Sequence, residues 1–287
     1  MTATPDERRD APVIAPDDLC AVVLAAGLGT RLRPLTMLRP KALVPVGNVP
    51  LLDRALARLA AVGLSGPDRV AVNAHWLAAQ VADHVAGRAH LSHEDEPLGT
   101  AGALGNLHRW IAGRAVLVLN ADAYVGVTGP DDLGALLSGW DGHRVRMHGV
   151  KAGQPDPFHG YNFAGASLLP AADVAKLPDK PRELARTTWR PAEQSGRLDV
   201  VPLTGLYLDC GTPADYLAAN LHAAGGENLF GTGVVVTGRA AGSVLGDGSR
   251  VDGTVRDCVL WPGAHVAAHE HLHRVIRVGP DLTVPAP

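Results

Sequence analysis

The chain has 287 residues, 46% hydrophobic and only 4% aromatic, with a formal charge of -3 at pH 7. That is length for one large α/β domain with a small appendage, and enough Ala, Val and Leu for a real core. The weak charge argues against nucleic acid or an anionic membrane as partner, and three dispersed cysteines (Cys20, Cys210, Cys258) without a CxxC pair argue against a disulfide or zinc framework and suit a reducing cytosol.

Residues 1–18 are polar, charged and proline-bearing, with no apolar h-region, and read as a disordered leader and not a signal peptide. From Leu19 the pattern alternates. The apolar run Cys20 to Ala26 ends in glycine and predicts a buried strand entering a loop. Leu52, Leu56, Leu59 and Val62 form one face of a helix over 51–62. A strand over 69–74, a helix over 76–85, a strand over 89–94 and a helix over 99–111 follow. The clearest buried strand runs from Ala115 to Asp122. This alternation predicts an α/β domain over 19–225, its mostly parallel sheet covered by helices on both faces.

Beyond Asp122 the pattern predicts a helix over 131–140, a strand over 144–150, a Pro- and Gly-bearing loop over 151–159 and a strand over 161–169. One or two strands over 199–209 come next, then a helix over 213–224 with Pro213 in its first turn. No stretch approaches the roughly 18 apolar residues of a membrane helix. Over 226–287 glycine rises and helical periodicity vanishes. Leu245 and Val251 are six residues apart, as are successive members of Leu260, Val266, Leu272 and Val278. That spacing marks a short left-handed parallel β-helix. The nine-residue step from Val251 to Leu260 breaks the register and limits it to about two irregular coils; irregular strands without a coil are the alternative.

Chemistry concentrates in Leu24-Ala-Ala-Gly-Leu-Gly-Thr-Arg-Leu-Arg-Pro-Leu-Thr36, directly after the first strand. Gly27 and Gly29 let backbone N–H groups approach a polyphosphate, and Arg31 supplies a fixed cation for its oxygens. A Walker A loop is excluded by the missing Gly-Lys-Ser/Thr ending, and a dinucleotide fingerprint by Leu32 where a small residue is required. Lys41, one of only four lysines, stands in a rigid Pro-flanked loop just beyond; a solvated surface lysine is the plainer alternative. Asp122 ends a buried strand, where a carboxylate is out of place unless it serves a site at the sheet's carboxyl edge. Asp209 precedes a helix and reads equally well as a cap or turn residue. His269-Glu-His-Leu-His273 sets three histidines on one face of an extended strand, open to a metal reading or to that of an exposed polar edge.

The strings LAAGLGTRLRPLT and PKALVPVGNVPLL resemble the signature of nucleotide-sugar pyrophosphorylases, the sugar-1-phosphate nucleotidyltransferases, and most of all the mannose-1-phosphate guanylyltransferase group. The likeness continues through Glu94 to Gly102, Leu119 to Asp122 and Leu208 to Tyr216, over about residues 20–225, and the repeats resemble the β-helical tail of many members. The resemblance implies a Rossmann-like mixed, mostly parallel sheet of the glycosyltransferase-A type. It implies a cytoplasmic enzyme in which a sugar 1-phosphate attacks the α-phosphorus of an NTP in line, giving an NDP-sugar and pyrophosphate, with no nucleic-acid or membrane partner. The protein's part is positioning and charge neutralisation.

By the same resemblance Asp122 and Asp209 hold Mg²⁺, Arg31 grips the β- and γ-phosphates, and Lys41 lies near the α-phosphate or the sugar phosphate. The nucleotide rests on Leu24, Ala25, Ala26, Gly27, Gly29 and Thr30, and Gly99 and Thr100 close over the nucleoside. Glu94 stands where members place a reader of the base edge; a carboxylate accepts from two adjacent N–H groups, as guanine offers, which favours GTP. The family's usual Glu-Lys-Pro segment is missing, since only Lys151 to Gly160 separates Val150 from Tyr161. Asn162, Gly165 and Glu193 are candidates for sugar hydroxyls, and Lys151 for the absent lysine. That gap keeps alternatives open: a heptose, cyclitol or non-sugar phosphate acceptor with uridylyl or cytidylyl transfer, or a non-catalytic nucleotide-sugar-binding regulator. The tail's open edge implies homo-oligomerisation.

Overall fold

The computed structural model describes residues 18–126, 132–151 and 158–287. Apart from Asp18, the expected leader lies outside the described residues, as do the start of the helix expected over 131–140 and most of the loop expected over 151–159. In chain order the strands of the main unit are β1 (Leu19–Leu24), β2 (Pro45–Val46), β3 (Val49–Pro50), β4 (Val70–Ala74), β5 (His90–His93), β6 (Ala115–Asn120) and β7 (Ala123–Gly126). They continue with β8 (Val145–Lys151), β9 (Tyr161–Leu169), β10 (Leu198–Pro202) and β11 (Leu206–Asp209). The helices are α1 (Leu35–Leu38), α2 (Leu51–Ala61), α3 (Ala78–Val85), α4 (Gly99–Asn106), α5 (His108–Ile111), α6 (Asp132–Leu137), α7 (Ala171–Val174), α8 (Arg190–Gln194) and α9 (Pro213–Ala224).

Seven strands form one sheet in the order β10-β8-β9-β6-β1-β4-β5. Within it β9 alone runs antiparallel to its neighbours. Alternate residues of β1 serve opposite faces, as a pleated strand requires. Ala21 and Val23 pack with Leu52 and Leu59 of α2 and Val81 of α3, whereas Cys20 and Val22 pack with Leu104 of α4 and Ile111 of α5. The helix expected over 99–111 is two, broken at Leu107. An unpredicted π-helical segment, Ala185–Trp189, leads into α8, and Trp189 and Ala192 cover the second face. Among the described residues no helix is long and apolar enough to cross a membrane.

The tail is a stack of short parallel strands. Leu229 pairs with Val244 and Val244 with Val259 on one side, Val235 with Arg250 and Arg250 with His265 on a second, Arg239 with Thr254 and Thr254 with His271 on a third. Each step from the first to the second coil spans fifteen residues, as from Leu229 to Val244, not three six-residue sides. The nine-residue step that broke the expected register is the passage from Val251 on one side of a coil to Leu260 on the next. Three coils form instead of two, ended by the antiparallel pair Val275–Val278 and Leu282–Pro285.

Candidate active site

Strands β1, β4 and β6 are parallel neighbours, so their carboxyl ends open at one edge of the sheet. A cleft of about 290 Å³ lies there. Leu24, Ala26 and Gly27 wall it at and beyond the end of β1, Asn73 at β4, Glu94 and Pro97 after β5, Gly99 and Thr100 at α4, Asn120 and Asp122 at and beyond the end of β6, and Glu183 closes the rim. Glu94 and Asn73 are 2% and 3% exposed. A buried carboxylate needs donors, and here it has them. Asn73 Nδ2 donates to Glu94 Oε1 at 2.7 Å, Leu98 N–H donates to Oε2 at 3.1 Å, and Ala25 N–H donates to Asn73 Oδ1 at 2.7 Å.

The remaining groups stand on turns after β1 and at the end of β11. Gly29 adopts φ 60°, the left-handed conformation that favours glycine. Its carbonyl accepts from Thr36 Oγ1 at 2.8 Å, and a Cβ there would stand 2.7 Å from Thr36 Cγ2. This turn carries Arg31. Lys41, 8% exposed, donates to Asp122 Oδ2 at 2.8 Å and Asp209 Oδ1 at 2.7 Å, which overturns the surface-lysine alternative. Arg31 Nη2 reaches Asp209 Oδ2 at 3.2 Å. The two aspartates, far apart in sequence, are brought together by the β11–β7 register, which sets Asp209 opposite Ala123, and by Cys210 N–H donating to Asp122 O at 3.1 Å.

Asp209 is not the cap of α9. Thr212 is, accepting from Asp215 N–H at 3.2 Å, with Pro213 in the first turn. Gly211 makes room for the guanidinium, since a Cβ there would stand 2.8 Å from Arg31 Nη2. Burial pulls the Lys41 ammonium down, but Asp122 and Asp209 together raise it above the ordinary lysine value. Burial, with the charges of Asp122 and Asp209 adding to it, pushes the neighbouring Tyr207 phenol far up, and burial pushes the Cys210 thiol up to about 12. Both stay neutral at physiological pH.

Other expected site residues lie elsewhere. Ala25 is buried behind the cleft wall, and Thr30 sits in the 3₁₀ turn with Arg31. Lys151 is exposed at the end of β8 opposite Tyr161, and Asn162 is exposed opposite Val150. Gly165, with φ 74°, lies against Ala123 and Tyr207. Glu193 is held by Arg190 at 2.8 Å on α8. None of these four lines the cleft. Gly102 belongs to packing, as does Gly105: a Cβ on either would meet the backbone of 178–180, and Ala101 N–H donates to Arg182 O at 2.9 Å. Only Gly99 of that glycine series faces the cleft.

Asn73, Asn120 and Glu183 escaped the sequence reading. The asparagines carry the signal that found Asp122, a polar residue at the end of an apolar strand; Glu183 carries none. In the tail, His265 pairs with Asp252 and His273 with Asp257. No group of three metal-ligating side chains occurs among the described residues.

Residues 20–144 match the family model described as Nucleotidyl transferase. An N-acetylmuramate alpha-1-phosphate uridylyltransferase of Caulobacter vibrioides is 32% identical over 69% of this chain and 94% of that protein. A mannose-1-phosphate guanylyltransferase of Mycobacterium tuberculosis is 34% identical over 48% of this chain, which spans 39% of that protein. A solved Bacillus anthracis structure, assigned as a glucose-1-phosphate thymidylyltransferase and holding a sucrose, shares the fold with a TM-score of 0.60 at 18% identity, over 71% of this chain and 95% of that one.

Proposed function

As a member of the nucleotidyl transferase family, the chain, we propose, transfers a nucleoside monophosphate from an NTP to a sugar 1-phosphate and releases pyrophosphate. The observation that carries this reading is Lys41 held between Asp122 and Asp209, with Arg31 beside them, next to a cleft at the sheet's carboxyl edge. Cations for phosphate and carboxylates for a hard metal meet at one point. Two oxygen donors converging on a positive charge fit Mg²⁺, which takes one or two carboxylates and completes its octahedron with phosphates and water. Bound by Asp122 and Asp209, it would neutralise charge developing on the phosphates. Arg31 would hold the β- and γ-phosphates in its fork, and the Lys41 ammonium, beside the same carboxylates, would serve the α-phosphate. No covalent intermediate is required; the residues align acceptor and donor for in-line displacement.

The base lies against Leu24, Ala26 and Gly27 with Glu94 at its edge. Each oxygen of Glu94 already accepts one protein hydrogen bond, which suits a base with a single ring N–H better than one presenting two donors. UTP is therefore the donor we propose, in keeping with the uridylyltransferase that the chain spans almost end to end. GTP is the second reading, favoured by the acceptor sites still open on both oxygens. Lys151 at the end of β8, Asn162 near the start of β9, and Gly165, packed against Ala123 and Tyr207, are proposed for the sugar and its phosphate. The test is pyrophosphate release with Mg²⁺, four NTPs and a panel of sugar 1-phosphates, run beside Asp122→Ala. Turnover with one pair, abolished in the variant, is expected. Inertness throughout, together with tight NDP-sugar binding, would replace the enzyme with a regulatory relative.

A further inference from the structure

Most polar groups lining the cleft already hold a partner within the protein. Asn73 and Glu94 bond to each other, to Ala25 and to Leu98, and Asp122 is taken by Lys41. Thr100 is fully committed: its hydroxyl accepts from Leu184 N–H at 2.7 Å and donates to Glu183 Oε2 at 2.7 Å. Thr100 N–H adds a second bond to that same oxygen at 3.3 Å. The Glu183 carboxylate is thus fixed through one oxygen, while Oε1 accepts nothing from the described residues. A Cβ on Gly99 would stand 2.6 Å from Arg182 O and 2.7 Å from Oε1, so only glycine lets the 182–183 backbone and this carboxylate close onto the start of α4 at the cleft rim. A carboxylate held this way welcomes a hydroxyl donor and repels phosphate, whose place is with Arg31 and Lys41. Gly99 and Thr100 follow directly on Pro97 and Leu98, which border Glu94 at the base end.

On the proposed nucleotidyl transfer, and resting on it, we propose that Glu183 selects ribonucleotides: its free oxygen accepts the 2′-hydroxyl of the NTP ribose. A charge-assisted hydrogen bond of this kind corresponds to about 10- to 100-fold in affinity. The experiment is equilibrium binding and initial rates with UTP, 2′-deoxy-UTP, GTP and 2′-deoxy-GTP, for the wild type, E183A and the isosteric E183Q, with folding checked by thermal melts. The wild type is expected to prefer the ribonucleotide by about tenfold or more. E183A brings that ratio close to one by weakening the ribonucleotide while the deoxynucleotide changes little, and E183Q falls between. Equal weakening of both sugars would reduce Glu183 to a strut for Thr100 and overturn the proposal, as would an unchanged ratio or a wild type without preference. A wild type that binds and turns over no nucleotide would instead remove the transferase reading beneath it.

Discussion

The two halves of the site are built on different cores. Asn73, Glu94, Asn120 and Asp122 end or follow strands of the main sheet, whose apolar faces are sealed by helices near in sequence. Arg31 and Lys41 on their turns and Asp209 at the end of β11 are backed by a third core. There Leu32 and Leu35 from the phosphate loop, Val44 and Val46 from the lysine loop and Cys210 and Tyr216 around Asp209 pack against Val259, Trp261 and Ile276 of the tail. Trp261 Nε1 donates to the Tyr216 hydroxyl at 3.0 Å, that hydroxyl donates to Pro45 O at 2.6 Å, and the Arg39 guanidinium lies 5.0 Å over the Trp261 ring. The tail is thus the back wall of the loop-borne half. Strand ends hold the neutral and acidic groups on a rigid floor; the cations depend on distant sequence for their position.

Removing what both halves share should have the largest effect. Asp122→Ala and Asp209→Ala are each expected to lower turnover by ~10³-fold with little change in melting temperature. Pyrophosphate release and thermal melts check this, and a tenfold loss or less in either variant would deny that aspartate the metal role. Next comes a matched pair of tryptophans. Trp140 and Trp261 are both 3% exposed, one in the first sheet core and one in the loop core. Each Trp→Ala change should cost about 3–5 kcal/mol. Only Trp261→Ala should also lower kcat/KM, by roughly tenfold at a temperature where both variants are folded. Equal activity in the two variants would break the comparison.

A smaller effect tests the contact between the halves. The Lys41 pKa is raised in the folded state above the ordinary 10.5, so folding favours its protonated form. The stability this adds is complete below about pH 10 and is lost as pH rises through the higher folded value. Lys41→Met should therefore be less stable than the wild type by about 1 kcal/mol at neutral pH, since Asp122 and Asp209 are 36% and 45% exposed and solvent screens the pair. The gap should narrow above about pH 10.5. A gap that widens with pH would mean that Lys41 acts through packing alone.

The strand-borne half was legible because its signals are local. A carboxylate closing the apolar run Ala115 to Asn120 marks a functional strand end, and Gly27 and Gly29 after β1 mark a phosphate loop. Asp209 stayed ambiguous because a helix follows it, and only the side chain of Thr212 settles which residue caps that helix. Gly102 was harder to read for a related reason. Glycine permits close approach without saying what approaches, and here the backbone of 178–183 does so along most of α4. Glu183 was invisible because its place is fixed by Thr100, 83 residues away. The tail's fifteen-residue coil was masked by aliphatics that happen to fall six apart.

The narrowest comparison separates glycines that shape the fold from glycines that leave room. Gly27 and Gly29 are two residues apart in one loop, yet their surroundings differ. A Cβ on Gly27 would meet nothing within 4 Å, and its φ lies outside the left-handed region. Gly29 has φ 60° and Thr36 Cγ2 at 2.7 Å from the added carbon. Gly29→Ala should therefore cost about 1–2 kcal/mol of stability and misplace Arg31 with the turn. Gly27→Ala should leave the stability within about 0.5 kcal/mol of wild type. Its new methyl enters the cleft where the base is proposed to rest, so KM for the NTP should rise by about 5- to 100-fold, roughly the 1–3 kcal/mol that a misfitted methyl is worth, with kcat kept. Melts and saturation curves on the two variants decide it. If Gly27→Ala lost stability and kept its KM, the open space beside Gly27 would belong to the fold and the base would have to lie elsewhere.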